Sequence, residues 1–271
     1  MTARILNVSP DEYHALPGFS STIAKTLLAK SPAHARAMVG KKATKSMNRG
    51  TIIHRLVLGK GKDYEVINFG DYKSNAAKKA RDDAEAAGRV PVLACDFEDY
   101  CVAAEAIRIK LADMDIILDG ESELAVQWEE MSGGFGAVTC RGMFDHVWLD
   151  RGIVLDLKVT EDASPLAIEK TAENFGYALQ CAAYTSGLTR LKPEFAGKVK
   201  FLFAFCEPNE PHAVNVCQPD GMFRELGTRR WRNAVNLWGR CAAEDRWPAY
   251  GGGINYINPP TWALAREGIE T

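Results

Sequence analysis

The sequence predicts an α/β (α+β) fold, with a central mixed β-sheet flanked by helices and an N-terminal helical elaboration. Three observations carry that prediction. Up to about residue 120 the apolar residues recur mainly at helical spacing; Phe97, Cys101, Ala104, Ile107 and Leu111 mark one such stripe over 96–114. From Leu124 the period falls to two, with turn signals at Ser132-Gly133-Gly134 and Asp150-Arg151-Gly152. Beyond Thr160, helical and strand patterns are interleaved, as in a sheet covered by helices.

In chain order, residues 1–18 read as an irregular lead-in closed by Pro17-Gly18. Ser20 or Ser21 caps a helix through Ile23, Leu27 and Leu28, and Ser31-Pro32 opens a short one to about Val39. Lys41, Lys42, Lys45 and Arg49 form a basic connection, either a solvated loop or a phosphate contact. Residues 51–58 read as a short buried helix in which His54 lies among Ile53, Leu56 and Val57; taken alone, it fits a satisfied core histidine or a ligand. A strand over 64–69 precedes a solvent-facing helix over 75–87 that carries Lys78, Lys79 and Arg81.

Strands at 124–131 and on either side of Arg151-Gly152 come next, then helices at 163–172 and 174–191. The second lines Tyr177, Gln180 and Tyr184 along one side. Residues 198–207, almost wholly apolar, make a central strand, and 213–218 another. The helix over 219–246 turns Met222, Leu226, Trp231, Val235 and Trp238 inward; Arg224, Arg229, Arg230 and Arg232 face solvent or a nucleic-acid groove. The tail, 251–271, is irregular, with Tyr256 and Trp262 tucked against the body.

With 271 residues and no break in composition, the expected organisation is one domain over 1–271. Its parts are a mostly helical 1–120 that holds His54, a sheet with flanking helices over 121–250, and the tail. A net charge of −2 rules out a uniformly basic coat but not a local basic face. The seven cysteines are odd in number and never spaced Cys-x-x-Cys, which excludes zinc ribbons, iron–sulfur clusters and a disulfide framework. They read as mostly buried thiols in a reducing, intracellular compartment. No run approaches the ~20 apolar residues of a membrane span, and no signal peptide is visible.

The chemistry concentrates at residues 138–160. A two-residue loop at Arg151-Gly152 would set Asp145 opposite Lys158 and Asp156 opposite Val147, so that Asp145 and Asp156 share a face as diagonal neighbours. Two carboxylates beside a lysine suit a hard divalent cation, Mg²⁺ or Mn²⁺, with Lys158 placed to orient a water or contact a phosphate. Phosphodiester hydrolysis is the reaction that needs this set. The same spacing also fits an Asp145–Lys158 ion pair with Asp156 in solvent.

The wider set is more specific. Ser31-Pro32-Ala33-His34, Gly50-Thr51-Ile52-Ile53-His54, Cys140-Arg141-Gly142-Met143-Phe144-Asp145, Asp156-Leu157-Lys158-Val159-Thr160 and Phe175-Gly176-Tyr177-Ala178-Leu179-Gln180 with Ala183-Tyr184 occur in that order. It resembles the PD-(D/E)XK nuclease superfamily and, within it, the exonuclease VIII (RecE-like) nucleases of phages and prophages. The resemblance implies a restriction-endonuclease-like core. His54 would join Asp145, Asp156 and the Leu157 carbonyl as metal ligands, Lys158 would be the motif lysine, and Gln180 and Tyr184 would match the Gln-x-x-x-Tyr signature facing the DNA or the active site. Phe144 stands where the family often has proline. His146, next in the strand, points away and is read as structural.

The resemblance further implies a Mg²⁺-dependent exonuclease in the bacterial cytoplasm that digests linear double-stranded DNA 5′ to 3′. The 3′ tail would pass to a RecT-like single-strand annealing protein, and the nuclease would assemble as a ring-shaped homo-oligomer. A catalytically silent DNA-binding module and an endonuclease of the same superfamily are the competing readings.

Overall fold

The computed structural model describes residues 3–40, 48–251, 253–254 and 256–269. Its strands are β1 (Ala3–Leu6), β2 (Tyr64–Ile67), β3 (Val90–Leu93), β4 (Glu121–Ser132), β5 (Gly136–Trp148), β6 (Ile153–Val159), β7 (Lys200–Cys206) and β8 (Val214–Cys217). The helices are α1 (Pro10–Ala15), α2 (Ser21–Ala29), α3 (Pro32–Arg36), α4 (Asn48–Leu58), α5 (Asn75–Ala86), α6 (Ala94–Ala112), α7 (Pro165–Asn174), α8 (Tyr177–Leu191), α9 (Gly221–Ala243) and α10 (Thr261–Arg266).

Six strands form one sheet in the order β1-β4-β5-β6-β7-β8, antiparallel except for the β6–β7 pair. The β2–β3 pair is a separate parallel ribbon. Helices cover both faces. On one side, α2, α8 and α9 bury Phe19, Trp128, Phe144, Phe201, Phe205 and Trp231; on the other, α4 and α6 bury Ile53, Val57, Ile107, Leu155 and Leu157. Burial on both faces explains the unbroken apolar run of β7. Serine starts four of the short helices, with the hydroxyls of Ser9, Ser20, Ser31 and Ser74 accepting the N3 amide in each case. Within the first core, the buried Glu130 accepts from the indoles of Trp128 (3.0 Å) and Trp231 (3.2 Å), from Arg190 (3.0 Å) and from the Ser186 hydroxyl.

Several expectations change. The lead-in is ordered: β1 pairs with β4 across the chain, Ala3 against Trp128, and α1 carries a capping box of Ser9 and Glu12. The strand β3 was not foreseen. Cys101 is exposed, and the buried stripe of α6 runs through Ala103, Ala104, Ile107 and Leu111. Met222 and Leu226 also face outward, because the inward row of α9 starts at Gly227, which packs on the backbone of Ala178. Tyr256 and Trp262 are exposed rather than tucked in. Lys41, Lys42 and Lys45 lie outside the described residues, while Arg49 pairs with Glu161. Four of the seven cysteines are buried, and no helix among the described residues is long and apolar enough to cross a membrane.

Candidate metal centre

The site forms where the sheet opens. The β5–β6 ladder has three pairs, His146–Leu155, Val147–Val154 and Trp148–Ile153, whereas β6 pairs with β7 along its whole length. Asp145 follows the last pair, and its Oδ2 accepts the amide of Leu157 at 2.8 Å in place of a backbone partner. The connection spans residues 149–152, longer than the two-residue turn expected. The register is therefore shifted by two, and Asp145 does not stand against Lys158. Because the shift is even, it does not by itself exchange the faces of β6.

Side-chain alternation also breaks at Asp145. Phe144 packs under α8, while His146 and Trp148 both lie on the opposite side, ring against ring at 4.4 Å. Across the β4–β5 ladder, between the pairs Ser122–His146 and Leu124–Phe144, Glu123 adopts a left-handed backbone with φ of 52°. A glutamate in that region costs about 1–3 kcal/mol, and such strain persists where the surroundings impose it. The distortion turns Glu123 and Asp145 toward the same opening. His146 is structural, as expected: buried, it contacts the Ser122 hydroxyl at 2.7 Å and accepts the Gly120 amide at 3.2 Å.

His54 reaches the opening from α4, which is anchored by Ile53 and Val57. Its Nε2 donates to the Leu157 carbonyl at 3.0 Å, and its Nδ1 faces Asp145 Oδ2 at 3.6 Å. Donor atoms of His54, Glu123 and Asp145 lie within 4.8 Å of one another, and all three residues are half-buried. Burial and the neighbouring Asp145 charge push the Glu123 carboxyl up to about 8. Two carboxylates and an imidazole nitrogen aimed at one point repel one another in their unprotonated forms unless a proton or a metal cation lies between them. An imidazole nitrogen with two carboxylates also suits Mg²⁺ or Mn²⁺, so the residues fit a divalent ion.

Asp156 does not join this mutually close set. Fully buried, it receives Gln180 Nε2 on Oδ2 at 2.7 Å and pairs with the Lys158 ammonium through Oδ1. Burial raises the Asp156 carboxyl, with Lys158 opposing and the nearby Asp145 adding to the rise. Burial works against the charge on Lys158, but the two aspartates outweigh it and hold the ammonium above its ordinary value. An Asp145–Lys158 pair with a solvated Asp156 is thus not what forms. Tyr184 stands one step back, beside Gln180 and packed edge-on against Phe144 at 5.3 Å.

Two residues escaped sequence reasoning. Glu123 lies just before the strand as read from the sequence, and only its position across from Asp145 gives it away. Lys25 extends from α2 over the Tyr177 ring at 5.6 Å, and burial, then Lys158, lower its ammonium to about 8. No acidic neighbour or motif marks it in the sequence.

No curated protein matches the sequence. The fold is similar to that of "Putative exonuclease" from Eubacterium rectale, with a TM-score of 0.56 at 10% identity over 96% of this chain and 98% of that one. A phage related exonuclease from Haemophilus somnus 129PT aligns with a TM-score of 0.37 at 12% identity, over 87% and 99% respectively. Residues 20–260, which include every element that carries the site, match the model of a PDDEXK-like domain of unknown function, DUF3799. The chain belongs to that PDDEXK-like family.

Proposed function

We propose that the chain is a metal-dependent exodeoxyribonuclease that hydrolyses phosphodiester bonds of linear double-stranded DNA. One observation carries the reading: in a PDDEXK-like chain, His54, Glu123 and Asp145 converge beside the Asp156–Lys158 pair where β5 and β6 part, with the Leu157 carbonyl accepting from the far side of the His54 ring. Asp156 is the further carboxylate ligand implied by the resemblance. A divalent ion held there, Mg²⁺ or Mn²⁺, supplies Lewis acidity toward a water and a phosphate oxygen.

The remaining work falls to the chain. Lys158 stays charged through the neutral range and donates to the attacking water or to the scissile phosphate as negative charge builds there. Gln180 holds the Asp156 carboxylate in place, and Tyr184 packs beside Gln180. Digestion from 5′ to 3′, a 3′ tail handed to a RecT-like annealing protein, and a ring-shaped homo-oligomer in a bacterial cytoplasm belong to the same reading.

The test is digestion of linear duplexes labelled at the 5′ or the 3′ end, beside a covalently closed circle, with Mg²⁺ and with EDTA. Metal-dependent loss of the linear DNA, beginning with the 5′ label and sparing the circle, is expected. Cutting of the circle would make the protein an endonuclease, and DNA binding without turnover would make it a silent module.

A further inference from the structure

We propose that Phe175 is a stacking shelf for an unpaired nucleobase of the strand being cut, with Lys25 taking the adjacent phosphate. The inference rests on the nuclease reading and names a nucleotide subsite beside its metal centre. The sequence Phe175-Gly176-Tyr177 joins α7 to α8, and Gly176 turns the chain in the left-handed region with φ of 64°. That turn leaves the Phe175 ring 60% exposed while it stacks on Tyr177 at 5.9 Å and 18°. Tyr177 in turn stacks on Phe203 at 5.7 Å and 28°, deep in the core. Phe175 is therefore the solvent end of a pile of rings with a fixed root, and its geometry is set before any ligand arrives.

The pile borders the candidate centre. The Lys158 ammonium lies 4.8 Å from the Tyr177 ring and that of Lys25 lies 5.6 Å from it. The stem of Lys25 runs along Gly176, where an added Cβ would come within 3.1 Å of its Cγ and Cδ. Lys158 has Asp156 as counter-ion, whereas among the described residues no carboxylate pairs with Lys25. A cation with no ion-pair partner among the described residues, on which Asp156 acts only at longer range, beside an open aromatic ring has the two contacts that one nucleotide needs, phosphate and base. A duplex hides its base faces except at an end, where unpairing one base costs a few kcal/mol, so the shelf would engage a frayed terminal nucleotide. An apolar protein partner would gain nothing from the unpaired charge.

Short single strands carrying 2-aminopurine, a base whose fluorescence falls on stacking, test this on the full chain in EDTA, where nothing is cut. Wild type should quench the probe. Phe175→Leu should lose the quench and weaken binding about tenfold, and Phe175→Trp should keep both. Lys25→Gln should reduce the slope of log affinity against log salt by about 1. With Mg²⁺ and linear duplex, Phe175→Leu should raise KM about tenfold at nearly constant kcat. Quenching and affinity that survive Phe175→Leu would overturn the shelf even if the wild type digests DNA. Quenching lost in that variant, with no digestion by wild type, would sustain the shelf and sink the nuclease reading.

Discussion

Asp156 and Lys158 depend on each other, and that dependence separates their structural role from their chemical one. Replacing Lys158 by Met leaves a fully buried carboxylate without its cation, a loss of about 3–5 kcal/mol when the carboxylate stays charged. The carboxyl escapes part of that cost by protonating, so Lys158→Met should lower Tm more at pH 8 than at pH 6. If Lys158 acts on the developing charge, kcat should fall about 10²–10³-fold. The double variant Asp156→Asn/Lys158→Met should recover much of the stability and none of the activity; recovery of both would show the pair to be structural. Glu123 gives a pH signature of its own. Its folded value of about 8 exceeds the ordinary 4.5, so the folded chain binds the proton more tightly, and stability of the metal-free protein falls as pH rises between those values. A divalent ion takes the place of that proton, so the Tm gain from Mg²⁺ should grow over the same window, and Glu123→Gln should flatten both trends in thermal melts. Asp145, Asp156, Lys158 and Gln180 were legible because their spacing is local and ordered. Glu123 was not, since its role depends on a left-handed turn and a cross-strand position that no short window encodes.

The same division holds for the elements. Helices with a marked cap or composition, such as α2 behind its serine and the charged, solvent-facing α5, could be read almost to the residue. The four-residue β1 could not, because its stabilising partner lies in β4, more than a hundred positions away. The hairpin preserved its parity but not its register, since a turn signal at Asp150-Arg151-Gly152 marks a reversal without setting its length. Where the inward row of α9 begins was also hidden, for it depends on how closely α8 approaches. A Cβ at Gly227 would lie 2.0 Å from the Ala178 carbonyl oxygen, and a backbone atom cannot rotate aside. Gly227→Ala should therefore push α9 from α8 and cost about 1–3 kcal/mol in urea or thermal denaturation, despite the better helix propensity of alanine. An unchanged midpoint would mean that the two helices separate freely.

At the scale of the molecule, the helices on both faces hold together a sheet that is weakly joined at its centre. The β4–β5 ladder runs from Glu121–Val147 to Ser132–Gly136 and the β6–β7 ladder from Ile153–Lys200 to Val159–Cys206, yet three pairs join the two halves. Beyond those pairs the Leu157 amide donates to the Asp145 side chain, and the Leu157 carbonyl accepts from His54. The proposed ligands Asp145 and Asp156 thus belong to opposite halves. Hydrogen exchange should show it: saturating Mg²⁺ should slow the Leu157 amide at least about tenfold in wild type and much less in Glu123→Gln, with remote amides such as those of α5 unchanged. Equal slowing everywhere would refer the effect to global stability instead. The short ladder then acquires a mechanical meaning. Its two half-sheets are the jaws of a clasp, and an ion that bridges them is a fastener, so the metal-loaded chain should be the stiffer body across the opening between β5 and β6.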